Sequence, residues 1–192
     1  MRRSITIFAL VTAALVAIVA VYFGGSQDQQ TQTKAYSAPG LEPMTIEQAR
    51  DDFWRLTPAL LLVVYEAFAE TREGTIYDTL ETATDGEALE YLYLERVGAM
   101  AGGGLEEADQ TIHEINLLTT TVARDAASLK IDASWQVIGT VGHAEHLHVR
   151  GNTYSANLTV APVGEAWKIT DFELRDVSRN GAGETFLAPQ DN

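Results

Sequence analysis

Apolar residues follow three different rhythms along this chain. Residues 5–23, ITIFALVTAALVAIVAVYF, form an uncharged, almost wholly apolar run without Pro or Gly. Between residues 45 and 100 the apolar positions recur three and four apart, which is the helical period. From Ile112 onward they alternate with polar ones, as in half-buried strands. Residues 24–43, GGSQDQQTQTKAYSAPGLEP, carry no such pattern and read as a flexible tether.

In the helical region, Thr45-Ile46-Glu47-Gln48 fits a capping box with Thr45 as N-cap and opens a helix bearing Ile46, Phe53, Trp54 and Leu56. Thr57-Pro58 predicts a restart, since Pro suits a first turn, and ALLLVVYEAFA (residues 59–69) is the expected central core helix. Gly74 is expected to end it, with Thr75-Ile76-Tyr77-Asp78 starting a short helix. Asp85-Gly86 precedes another over residues 87–100, with Leu89, Leu92, Tyr93 and Val97 on its buried side, and Ala101-Gly102-Gly103-Gly104 terminates it.

Four strand-like runs follow: HEINLLTTTVAR, SLKIDASWQVIGTVG, HLHVRGNTYSANLTVAP and EAWKITDFELRDV. In the second, Leu129, Ile131, Ala133, Trp135 and Val137 alternate with Lys130, Asp132, Ser134 and Gln136. Val163-Gly164-Glu165 reads as a hairpin turn between the third and fourth runs, so neighbouring antiparallel strands are the simplest topology. Helices first and strands afterwards predict an α+β domain over residues 44–180 with helices covering one sheet face. Residues 181–192 read as a frayed tail.

The apolar run changes where this domain is expected to sit. Its 19 residues span roughly 28 Å as a helix, close to the hydrocarbon thickness of a bilayer. Arg2 and Arg3 precede it and no basic residue follows until Lys34, so residues 1–4 are expected in the cytoplasm and the rest outside, with a bacterial inner membrane and periplasm as the setting. A cleaved signal peptide is the alternative; its apolar core is usually ~7 to 15 residues, shorter than this one. Both readings export the domain. The 192 residues include no Cys, which excludes disulfides and thiolate metal sites. A net charge of −14 disfavours nucleic acid and anionic lipid as partners of the body.

The YEAF core of the long helix, the IYD of a short one, a glycine break, and strands with Trp135-x-Val137 and Gly164-x-x-Trp167-Lys168-Ile169 resemble the NTF2-like superfamily of cone-shaped α+β domains. The resemblance covers about residues 58–177. It implies a pocket between sheet and helices, and a homodimer through the exposed sheet face. The superfamily includes isomerases, cyclases and dehydratases as well as non-enzymatic modules of transport and secretion machinery, so fold alone does not choose between them.

Three of the four histidines fall at His143, His146 and His148. On a strand without a bulge, His146, His148, Arg150, Asn152 and Tyr154 share a face, continued by Ala156, Leu158 and Val160. Three uses compete. His146 and His148, joined by His143 or Glu145 across a turn, would suit zinc, copper or nickel, with His113 as a further ligand only if its strand lies alongside. A pocket would use a His as acid or base, Arg150 for an anion, and Tyr65, Tyr77, Asp78, Tyr91 or Tyr93 as helix-side partners. A structural polar network needs no further residue. The expected protein is a membrane-anchored extracytoplasmic binding or assembly module, with a cell-envelope metal-binding domain and a pocket enzyme as the alternatives.

Overall fold

The computed structural model describes residues 34–102, 111–143, 146–180 and 185–187; the side chains of 111, 141–143, 146–150, 179–180 and 185–187 are outside that description. The expected membrane segment at 5–23 lies outside the described residues. Among those residues no helix is long and apolar enough to cross a membrane.

The chain from Lys34 onward is α+β, a curled sheet with helices against it, its strands paired antiparallel except for the parallel pairing of the first strand with the sixth. Strands β1 (Tyr36–Ala38) and β2 (Leu41–Met44) precede helices α1 (Ile46–Asp51), α2 (Phe53–Ala69), α3 (Glu73–Ala83) and α4 (Gly86–Ala101). Strands β3 (Thr111–Asp125), β4 (Ser128–His143), β5 (His146–Val163), β6 (Ala166–Asn180) and β7 (Thr185–Leu187) follow. The sheet order is β2-β1-β6-β5-β4-β3, with β7 pairing β5. The β5–β6 turn matches expectation: Val163 pairs with Ala166, and Gly164 takes a φ of 60°, which glycine tolerates without a Cβ penalty.

Several boundaries differ from the sequence reading, each for a local reason. The stretch read as tether through Pro43 forms β1 and β2 from Tyr36 on: Gly40 turns the chain with a φ of 65°, the Tyr36 ring packs edge-on against Trp167, and Trp167 Nε1 donates to the Met44 carbonyl at 3.0 Å. The capping box at Thr45 forms as expected, but the first helix stops at Asp52 rather than at Thr57. Pro58 lies inside α2, as its sixth residue, and forfeits the backbone bond that an N–H there would make to the Trp54 carbonyl. Gly74 sits within the first turn of α3 instead of ending a helix. Part of the expected frayed tail, Thr185–Leu187, is a strand.

The core lies between helices and sheet. Leu56, Leu60, Val63 and Ala67 share one stripe of α2, with Leu61 and Val64 beside it; Ile76, Leu80 and Ala83 contribute from α3, and Ala88, Leu89 and Leu92 from α4. The sheet answers with Leu129, Ile131, Ala133, Trp135 and Val137 of β4, and Ala156, Leu158 and Val160 of β5. The alternation read from the sequence is therefore the one that packs. The opposite face is polar and cross-linked between strands: Lys130 donates to Thr159, Asn157 to Glu173, Ser134 meets Ser155, and Arg175 pairs with Asp132. At the β3 edge the pairing with β4 slips twice, between Ile112 and Glu114 and between Leu117 and Thr119.

Strand β6 departs from simple alternation. Val160 pairs with Ile169 but Thr159 with Asp171, so an extra residue, Thr170, bulges into β6. The bulge changes which residues face the helices, from Trp167 and Ile169 to Phe172 and Leu174. The chain between α3 and α4 docks at this point, where Asp85 N–H donates to the Ile169 carbonyl at 2.9 Å.

Candidate functional site: an aromatic cavity between helices and sheet

Helices α2 and α4 stand over β4, β5 and β6 without filling the space beneath them, leaving a cavity of about 120 Å³. Leu61, Val64, Tyr65 and Phe68 line it from α2, Tyr91, Leu92 and Glu95 from α4, and Trp135, Tyr154, Phe172 and Leu174 from the sheet. The helical residues follow from spacing: 61, 64, 65 and 68 make one stripe, and 91, 92 and 95 another. Arg96, next to Glu95, turns away to donate from Nη2 to the Glu70 carbonyl at 2.7 Å, which ties α4 to the C-terminal end of α2.

The aromatic rings make two walls. Trp135 and Tyr154, opposite one another on β4 and β5, stack with centroids 5.8 Å apart and planes at 19°. Phe172 and Tyr91 stack at 6.0 Å and 20°. The Phe172 ring meets Trp135 at 77°, so the two walls stand close to a right angle. Tyr65 closes the inner corner, 6.0 Å from Tyr154.

Polar groups are few. Trp135 Nε1 donates to the Tyr65 hydroxyl oxygen at 2.9 Å, and no described acceptor takes the Tyr65 proton. Burial, reinforced by the neighbouring Tyr154, holds the Tyr65 hydroxyl well above the usual phenol range, so it is a neutral donor at physiological pH. Asn152 Nδ2 approaches the Tyr154 hydroxyl at 3.4 Å. Partial burial and the charge of Glu95 raise the Tyr91 phenol. Glu95 itself is exposed, has no ion-pair partner among the described residues, and is the only charged residue among the described ones that line the cavity.

Of the residues singled out from the sequence, the structure unites Tyr154 with Tyr65 and Tyr91 at this cavity and places Asn152 beside Tyr154. Tyr77 and Tyr93 pack edge-on against each other at 5.6 Å, and neither they nor Asp78 line the cavity. His143 and His146 are directly paired in the β4–β5 register, His146 and His148 face Leu187 and Thr185 of β7, and Arg150 pairs with Gly139. The side chains of those four lie outside the described residues. His113 does not meet its stated condition: β4 separates its strand from β5, and its Nε2 is 3.0 Å from the Thr140 hydroxyl. Among the described residues no three His, Asp or Glu side chains are grouped to hold a metal ion.

The sequence pattern does not mark Trp135, Phe172, Leu174, Phe68 or Glu95 as site residues. Trp135 was legible only as a core position, and Phe172 and Leu174 face the cavity because of the bulge at Thr170.

No family model matches this chain, and no curated protein matches it. Among solved structures, a de novo designed β-sheet protein determined in solution by NMR aligns at a TM-score of 0.31 and 14% identity, over 68% of this chain and 91% of the other. A likeness of that size bears on neither fold family nor function.

Proposed function

We propose that this protein is a membrane-anchored, extracytoplasmic binding module of NTF2-like architecture, held by residues 5–23 and using the helix–sheet cavity to take a small ligand group. The observation that carries the reading is the cavity itself. It is bounded by stacked rings and carries a few phenolic hydroxyls, among them that of Tyr65, whose proton meets no acceptor among the described residues. Mostly apolar walls with a few placed polar groups are what small-molecule sites use to combine affinity with orientation. At about 120 Å³ the space is somewhat smaller than the ~150 Å³ apolar cavity known to admit benzene, so it suits a head group or a single ring rather than a large metabolite. The apolar run preceded by Arg2 and Arg3 supports the anchored, exported placement.

The test uses the full chain in a maltoside micelle. Ring-sized and head-group-sized probes are expected to raise the melting temperature, and Leu174→Trp, which fills the cavity mouth from an exposed position, is expected to abolish the rise without unfolding the protein. A probe-independent melting temperature across such a set would overturn the binding reading. A reporter fused after Asn192 that proves cytoplasmic would overturn the exported placement.

A further inference from the structure

We infer that the cavity selects a small organic cation carrying a methylated ammonium group. This rests on the binding reading above and names its ligand class.

Three features point the same way. Two stacked ring pairs, Trp135 with Tyr154 and Phe172 with Tyr91, meet at 77° through the Trp135–Phe172 contact. Five aromatic residues, Tyr65, Tyr91, Trp135, Tyr154 and Phe172, line the cavity; methylated ammonium ions bind beside aromatic rings through the ring quadrupole, and their charge is spread over methyl groups that are cheap to desolvate. The second feature is Glu95. It stands at the cavity on the same helix as Tyr91, without an ion-pair partner among the described residues, while Arg96 is engaged with the Glu70 carbonyl. A carboxylate at the cavity's exposed side attracts a cation and repels an anion, an effect of the size exposed charges have in water. The third is the charge of the whole chain, −14, which raises the local concentration of small cations and lowers that of anions.

Size agrees with charge. A trimethylammonium head is comparable in bulk to the benzene-sized ligands that cavities near 120 Å³ approach. A primary ammonium fits less well, because its N–H groups need several acceptors to replace water and the described lining offers few.

Calorimetric titration of the full chain in maltoside, a detergent without a cationic head, tests the assignment with choline and its neutral carbon isostere, 3,3-dimethylbutan-1-ol. Choline is expected to bind at least tenfold more tightly than the isostere. Glu95→Gln is expected to weaken choline about tenfold and to leave the isostere unchanged, since Glu95 is exposed and its replacement leaves the core intact. Leu174→Trp is expected to remove both. Glycerophosphocholine distinguishes the sources of the same chemistry: binding equal to choline assigns a lipid head group, and binding lost assigns a free cation. Equal affinity for choline and its isostere would overturn the cation assignment while the cavity's binding role stands. Binding of neither would overturn both.

Discussion

Removing the Tyr65 hydroxyl is the most direct perturbation of the candidate site, because that oxygen is the acceptor for a buried indole. Trp135 is 1% exposed and its Nε1–H donates to Tyr65 at 2.9 Å. In Tyr65→Phe the phenyl ring still fills its place, so little packing is lost, but the indole N–H keeps its desolvation without an acceptor. Such an orphaned donor costs about 1–3 kcal/mol. With a urea m-value of about 2 kcal/mol/M, the unfolding midpoint should fall by about 0.5–1.5 M. The double-mutant cycle sharpens this. In a Trp135→Phe background no indole donor remains, so Tyr65→Phe should cost less than ~0.5 kcal/mol, leaving a coupling energy of about 0.5–3 kcal/mol. Urea titrations of the four proteins, followed by circular dichroism, give the answer. If Tyr65→Phe costs under ~0.5 kcal/mol in both backgrounds, water in the cavity replaces the hydroxyl, and the Trp135–Tyr65 bond is not what fixes the corner.

Three further outcomes follow from the same structure. Because the Tyr65 phenol is raised in the folded state, the native protein retains that proton when the unfolded chain loses it near pH 10; its contribution is full below that pH and falls by up to ~1.4 kcal/mol per pH unit above it. Alkaline unfolding curves of wild type and Tyr65→Phe should accordingly converge as pH rises past 10, and parallel curves would refute the shift. Thr45→Ala removes the side-chain acceptor for the Gln48 N–H and should lower stability by about 0.5–2 kcal/mol, with Thr45→Ser restoring most of it in the same melts. Trp167→Phe leaves the buried Met44 carbonyl without its indole donor and weakens the seat of Tyr36, so protease cleavage within residues 34–44 should accelerate well before global unfolding; cleavage only in step with global unfolding would show that β1 and β2 do not depend on this anchor.

The α+β architecture was legible because helix and strand periods occupy separate halves of the chain, and the Leu129 to Val137 alternation was enough to name the buried face of β4. The capping box at Thr45 was equally local and formed as read. What escaped was set by distant partners or by irregularity. Tyr36 looks like a linker residue until Trp167, more than 120 positions away, arrives to hold it. Pro58 suggested a helix start, yet tertiary packing of Leu56 and Leu60 on either side carries the helix through it. At the candidate site, the parity from Asn152 to Val160 correctly put Tyr154 toward the core, and Tyr65 and Tyr91 were among the helix-side partners considered. Phe172 and Leu174 were hidden, since alternation from Trp167 and Ile169 points them the wrong way and nothing in their own sequence announces the extra residue at Thr170. Glu95 was one acidic side chain among 27 until its aromatic neighbours distinguished it.

The two slips in the β3–β4 register also govern what the molecule avoids. Strand β3 is 15 residues long and, among the described residues, hydrogen-bonds on one side only, so a flat β3 would offer its free amides and carbonyls as a template to any extended chain. Irregularities at both Ile112/Glu114 and Leu117/Thr119 break that template into short pieces that do not lie in one line, while Arg124, bound to Glu47 of α1, puts charge at the far end. An edge too crooked to recruit another strand is a safeguard against polymerising with other copies of the same chain.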